Sequence, residues 1–455
     1  MVDPSIYSRI EDILPPDGLL TDPEELERYR RDASGKSSLP SAVLLPQTTN
    51  QIQGIVQLAH EERLPLTVRG GGTGLRGGAV AREGGILLSL EHMDRILEIS
   101  PENMLAVVQP GMSAHRLEEH LKTFGLSYPV DPASWRRSTI GGDVATRAHG
   151  LRGTRHGSIG SYLLSLEVVI SPGEIIRCGA KTLKCATGYH LVDLFAGSRG
   201  QLGIITEVIL KLLPRPAVRR TLLAVLEDLR AAEQIEQELR VSGLQPSRLE
   251  LIDPELARLG FGKLIPPEHR NAFLMMMELG ACDQPYLDEQ AVRAGSYLEK
   301  HAVLLDAEVR EPSRAEVWWR CREELLTRST AESQPSLLVT LRLPVSRLNA
   351  FWEEAGRILN NGSSRGLFYG HLGEGRWHLL VRRLNEQAAP GEALPGISRV
   401  LQEAAVSCGG LYLAPVPLGW SPEDSLIARH DSGQGRLWRS LKNRFDPLDI
   451  FGPPD

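Results

Sequence analysis

Pro65-Leu66-Thr67-Val68-Arg69-Gly70-Gly71-Gly72-Thr73-Gly74-Leu75-Arg76-Gly77-Gly78-Ala79-Val80 decides how this chain is read. A short apolar run delivers the backbone into six glycines within nine residues, Gly70 to Gly78. Glycine reaches positive φ without a steric penalty, and a loop bare of side chains lets backbone N–H groups converge on an anion. A phosphate or pyrophosphate suits such a loop, so a nucleotide cofactor is the expectation. A glycine-rich surface turn without a ligand is the plainer reading of the same residues.

The loop holds a decoy. Gly72-x-Gly74-x-x-Gly77 fits the Rossmann fingerprint, and Asp94 lies near the distance of its ribose-binding acid. That fingerprint needs its third glycine to open a helix. Here Gly78 leads through Ala79-Val80-Ala81-Arg82-Glu83-Gly84-Gly85 to Ile86-Leu87-Leu88-Ser89-Leu90, which reads as turn and strand. The Rossmann context is missing.

Outward from the loop, Ser41 to Pro46 reads as a strand. A helix follows, capped by Thr49 or Asn50, with Ile52, Ile55, Val56 and Ala59 on one face. Leu64 to Val68 is the next strand. Two strands are expected between Ile86 and Pro110, then a helix over Ala114–Phe124 ended by Gly125. A second glycine-bearing region spans 131–213, with Gly141-Gly142 and Gly200 to Gly203 baring the backbone again. Pro214-Arg215-Pro216 marks the boundary. Beyond it strands and helices segregate into an α+β pattern, and Met275-Met276-Met277 reads as strand core.

Composition narrows the class. The chain has 455 residues, long for one core, and a net charge of −6 that recommends no nucleic-acid partner. No apolar run approaches membrane-spanning length, and the N-terminus shows no signal pattern. The five cysteines show no C-x-x-C spacing, so no cluster or zinc knuckle is expected, and a cytoplasmic protein is.

Several motifs together carry a resemblance. Arg69-Gly-Gly-Gly-Thr-Gly-Leu, Thr139-Ile-Gly-Gly, Lys184-x-x-x-Gly188-Tyr189, Gly197-Ser-x-Gly200-x-Leu-Gly-Ile-Ile-Thr-Glu207 and Leu212-Leu-Pro-x-Pro216 stand in order. They resemble the FAD-binding domain of the vanillyl-alcohol oxidase/p-cresol methylhydroxylase superfamily. Within it they are most similar to flavoprotein subunits of glycolate oxidase, D-lactate dehydrogenase and D-2-hydroxyglutarate dehydrogenase. The resemblance implies an α+β fold. A two-subdomain FAD-binding domain would cover 1–216 and a substrate or cap domain with an antiparallel sheet 217–440. A C-terminal segment, 441–455, would return to the FAD domain.

The resemblance also implies roles. Arg69, Gly70, Gly71, Gly72, Thr73, Gly74 and Leu75 would cradle the FAD pyrophosphate. Pro132, Thr139, Gly141, Gly142, Asp143, Thr146 and the Gly203-Ile204-Ile205 backbone would line the rest of the cofactor. No histidine lies in residues 61–91, so noncovalent FAD is expected. The implied reaction oxidises a 2-hydroxy acid, with an iron–sulfur subunit or electron-transfer flavoprotein taking the electrons.

Weaker similarity continues through Trp319-x-x-Arg322-Glu323, Gly370-His371-x-Gly373-x-Gly375-x-x-His378 and Phe445-Asp446-Pro447. Arg322 would grip the substrate carboxylate, since a guanidinium fork suits that planar anion. Its charged neighbours Arg320, Glu323 and Glu324 equally allow a solvated helix residue. His371 and His378, brought together by a hairpin, are candidate catalytic groups and candidate ligands for zinc or manganese. As cross-strand residues they also have an ordinary structural reading.

The chain departs from the pattern where a glutamate–histidine–glycine triplet is expected. It reads Pro415-Val416-Pro417, and no such side chain binds metal or takes a proton. Glu374 and His430-Asp431 are the nearby substitutes. Arg147 and His149 replace an asparagine and a glycine, Arg199 replaces a common acid, and Gly452 replaces an asparagine. Two functions stay open: an FAD-dependent 2-hydroxy-acid dehydrogenase, or a catalytically impaired flavoprotein subunit serving assembly or electron transfer.

Overall fold

The computed structural model describes residues 4–183, 188–309, 312–325, 337–359, 364–383, 395–416 and 432–452. The chain divides into two compact units. The first comprises Met1–Gly150, Ser158–Arg215 and Leu418–Asp455, and the second Leu151–Gly157 and Pro216–Pro417. A short excursion at Leu151–Gly157, which follows Gly150, joins the second unit.

The first unit holds two main sheets, besides the two-stranded pair Leu126–Ser127 and Leu213–Pro214. In the smaller, Ala42–Leu44 and Leu66–Arg69 both run parallel to Ile86–Ser89. Parallel strands need a crossover, and helix Thr49–Glu62 supplies it. Its cap is Thr48, ahead of the expected Thr49 or Asn50, because Thr48 and Gln51 close a reciprocal capping box. Ile52, Ile55, Val56 and Ala59 are buried as the 3.6-residue period requires. The larger sheet is antiparallel, in the order Ile96–Ser100, Leu105–Val108, Ile204–Lys211, Leu163–Ile170, Glu174–Gly179. Three strands rather than two therefore lie between Ile86 and Pro110. The chain end returns here: Leu66 donates its amide to Ile450 O at 2.7 Å, and Phe451 is fully buried.

The second unit is one eight-stranded antiparallel sheet with helices. Its order is Val303–Val309, Val218–Leu226, Phe273–Ala281, Arg248–Ile252, Ser364–His371, Arg376–Arg383, Leu337–Arg342, Leu411–Val416. Met275, Met276 and Met277 are strand core, as their apolar run suggests. Alternation sends successive residues to opposite faces. One face carries Ile252, Met276, Leu367 and Leu380 into a cluster with helices Pro254–Phe261 and Pro312–Glu323. That same face carries the polar residues below.

Candidate functional site

In the first unit the strand Leu66–Arg69 ends and the glycine loop begins. Among the described residues, none of the backbone amides of Gly70 through Leu75 donates a hydrogen bond. Bare amides left unpaired by the protein are what an anion needs. The glycines are required by contact as well as by φ. A Cβ on Gly70 would lie 2.3 Å from Thr139 Oγ1, and one on Gly71 would lie 2.1 Å from Arg137 O. Gly72 has φ +62, while Gly74 and Gly78 face open space. Turn and strand Ile86–Ser89 follow, so the Rossmann reading fails, and Asp94 instead pairs with Arg116.

The other residues expected to line the cofactor divide into two kinds. Thr139 caps the helix Ile140–Thr146 and accepts from the amide of Gly142 at 3.3 Å, directly beneath the loop. Gly141 presses on Pro110, where a Cβ would meet Pro110 Cβ at 2.5 Å. Gly203, at φ +158, leads into Ile204 and Ile205, whose side chains are buried. Thr146 donates its hydroxyl to Gly142 O at 2.8 Å, and Pro132 is buried and accepts from the amide of Trp135. Arg69 is directed to the loop itself, donating to Arg31 O and Ala79 O. Asp143 points inward beside Ser138 and Tyr128, and burial pushes its carboxyl up to about 7. The unpaired backbone amides of Gly70 to Leu75 suit a phosphate, while the side chains of Arg69 and Asp143 bond within the scaffold.

In the second unit four strands place four side chains in one row. Glu250 lies opposite His371, His371 opposite Arg376, and Arg376 opposite Arg342. Directly opposed residues share a face, with Cβ atoms about 5 Å apart. The neighbouring row sets Tyr369 opposite His378 and His378 opposite Thr340. The hairpin thus does bring the two histidines together, their rings 6.2 Å apart at the centroids and edge to face.

Glu250 organises this face, and the sequence reading missed it. It is 0% exposed. His371 Nδ1 donates to its Oε1 at 2.5 Å. Arg322 Nε donates to its Oε2 at 2.6 Å, and Arg322 Nη2 pairs with the same oxygen. Arg322 is 3% exposed and stacks its guanidinium over Tyr369, 4.5 Å from the ring centroid. The solvated-helix reading of Arg322 is therefore excluded. It holds the internal carboxylate of Glu250, where a substrate carboxylate was the expectation. The missed signal was Glu250 itself, a charge inside the apolar strand Arg248–Ile252. A carboxylate is not buried there without partners.

Above the row, the turn Leu372–Glu374 folds Glu374 back over the sheet. Gly153 makes room for it, since a Cβ there would lie 1.6 Å from Glu374 Oε1. That oxygen is buried without a hydrogen-bond partner among the described residues, and so is Arg376 Nε. Burial raises the Glu374 carboxyl, while His371 and Arg376 oppose the rise. Burial also lowers the Arg376 guanidinium to about 10.

As for a metal, His371 and His378 supply two imidazoles, with His378 Nδ1 bonded to Thr340 Oγ1 at 3.2 Å. Among the described residues no group of three or more histidine, cysteine, aspartate or glutamate side chains is arranged to hold one. Pro415 and Val416 end the strand Leu411–Val416, with Val416 opposite Leu338. Pro417 and His430-Asp431 lie outside the described residues, as does the Lys184–Thr187 part of the Lys184-x-x-x-Gly188 motif.

Comparison with known proteins defines the class. Residues 40–179 match the FAD binding domain model, and residues 215–454 match that of the C-terminal domain of FAD linked oxidases. The chain belongs to the FAD-linked oxidase family, and FAD is its cofactor. It is similar to the glycolate oxidase subunit GlcD of Bacillus subtilis, 32% identical over 93% of this chain and 91% of that one. The D-lactate dehydrogenase of Anaerostipes hadrus is 28% identical over 99% of this chain and 97% of its own. The crystal structure of p-cresol methylhydroxylase with substrate bound shares the fold at TM-score 0.78 and 17% identity, covering 99% of this chain and 96% of that one. The α+β architecture with its p-cresol methylhydroxylase-type FAD-binding domain is therefore as expected. No helix among the described residues is long and apolar enough to cross a membrane.

Proposed function

We propose that the protein oxidises a 2-hydroxy acid of the glycolate or D-lactate type to the 2-oxo acid in the cytoplasm. FAD held by the Gly70–Leu75 amides supplies the hydride acceptor. The electrons then pass to an iron–sulfur subunit or an electron-transfer flavoprotein. The relatives' activities support the substrate class, and the cap-domain geometry supports the chemistry.

One observation carries the reading: the Glu250 carboxylate joins Arg322 and His371. Dehydrogenation requires a base for the hydroxyl proton while the carbinol hydrogen leaves as hydride. With Nδ1–H donated to Glu250, a neutral His371 ring presents Nε2 as its proton acceptor. The carboxylate fixes the tautomer and stabilises the imidazolium once the proton arrives. Arg322 bonds to Glu250 and holds it in place, so the three act as one unit. His378, packed against Tyr369 at 5.0 Å between centroids, completes the wall beside His371. Zinc or manganese, if bound, would sit on His371 and His378 and acidify the substrate hydroxyl. No step here uses it.

The end of strand Leu411–Val416 favours a second reading, an impaired subunit for assembly or electron transfer, because Pro415 and Val416 stand where an acid and a histidine are expected. Anaerobic mixing of the flavin-loaded protein with glycolate, D-lactate and related acids separates the two. Bleaching of the oxidised flavin band supports the enzyme; an unchanged spectrum across the panel supports the subunit.

A further inference from the structure

The cation expected to hold the substrate carboxylate is already occupied. Two donors of Arg322 hold Glu250, and its face lies on Tyr369. One place along the same row stands Arg376, directly opposite His371. It makes no hydrogen bond or ion pair with any described residue, and its Nε is buried. Other arginines of this unit with a buried, unbonded Nε differ: Arg382 pairs with Glu255 at 3.2 Å and Arg248 with Glu278 at 3.7 Å. Glu374 lies close enough to influence Arg376 but does not pair with it. A half-buried guanidinium with its Nε buried and bonded to no carboxylate is poorly solvated, and an arriving anion relieves that cost.

We propose that Arg376, rather than Arg322, anchors the carboxylate of the substrate, which sets its hydroxyl against His371. The proposal rests on the hydroxy-acid reading above and deepens it. A 2-hydroxy acid carries its carboxylate and hydroxyl on adjacent carbons. Two opposed side chains about 5 Å apart at Cβ can hold that pair together. The planar fork of Arg376 recognises the carboxylate and Nε2 of His371 the hydroxyl. The ligand class is therefore a compact acid with an oxygen on the carbon next to its carboxylate, a 2-hydroxy acid among them.

The test uses flavin-loaded wild type, Arg376→Met and Arg376→Lys, with thermal unfolding as a readout independent of turnover. Oxalate serves as the probe because it presents a carboxylate next to a second oxygen. The expected result is that oxalate raises the wild-type Tm, leaves R376M unmoved, and gives R376K a reduced rise. Without oxalate, R376M should melt above wild type because the unpaired cation is gone. With D-lactate as substrate, R376M should raise KM about 10- to 100-fold with a smaller change in kcat. Equal oxalate shifts in all three proteins would overturn the proposal, as would a lowered R376M Tm with the shift retained, or no wild-type shift with any anion. If only inorganic phosphate shifts wild type and R376M loses that shift, the anion site stands and the hydroxy-acid reading fails.

Discussion

Glu250 and His371, on adjacent antiparallel strands, are joined by a 2.5 Å hydrogen bond from His371 Nδ1 to a fully buried carboxylate oxygen. Arg322 closes on the other oxygen of that carboxylate. A buried charge of this kind is tolerated only when fully partnered. Losing one member strands the others, at about 3–5 kcal/mol.

Glu250→Gln tests the unit. The amide keeps the shape but cannot accept from both Arg322 and His371 while stabilising an imidazolium. Flavin reduction by substrate should slow about 100- to 1,000-fold, with flavin content unchanged. Stopped-flow absorbance under anaerobic conditions measures it. A rate within a few-fold of wild type would mean that His371 does not take the proton.

Gly71→Ala tests the cradle. Its new Cβ would lie 2.1 Å from Arg137 O, a backbone atom that cannot swing aside. The purified variant should be colourless or nearly so, yet folded by circular dichroism. Gly74→Ala, whose Cβ meets open space, should retain substantially more flavin.

Asp143 gives a pH signature. Its folded pKa, about 7, stands above the ordinary 3.8 because burial disfavours the charge. A raised acid favours the folded state while protonated, so stability is full below about pH 4 and declines as pH climbs through 7. The difference corresponds to about 4 kcal/mol. Asp143→Asn should therefore raise Tm at about pH 8, with the gain shrinking toward about pH 4. A pH-independent difference would contradict this placement.

Metal content follows from the donor set. Two imidazoles bind zinc or manganese more weakly than a full protein site. After dialysis, elemental analysis should find well under one ion per chain. A stoichiometric metal would place a further donor outside the described residues.

The scaffold was legible in the sequence because it is local. The glycine spacing of 70–78 states its own backbone requirement, and the periodicities around Ile52 and Met276 state which face is buried. The hairpin joining His371 and His378 was legible for the same reason. Glu250 was not, since its partners lie 72 and 121 residues away and only sheet order brings them together. Asp143 looked like a cofactor residue by motif position, but the helix phase turns it inward. The lone cation at Arg376 was invisible because an absent partner leaves no mark in a sequence.

The most direct test of the whole is a single anaerobic titration. Purified protein carrying its yellow cofactor is mixed with D-lactate and glycolate while the flavin spectrum is recorded. The oxidised band should bleach with at least one of them, and the matching 2-oxo acid should appear one for one. A flavin that stays oxidised across these and related 2-hydroxy acids, in protein that is otherwise loaded and folded, would contradict it.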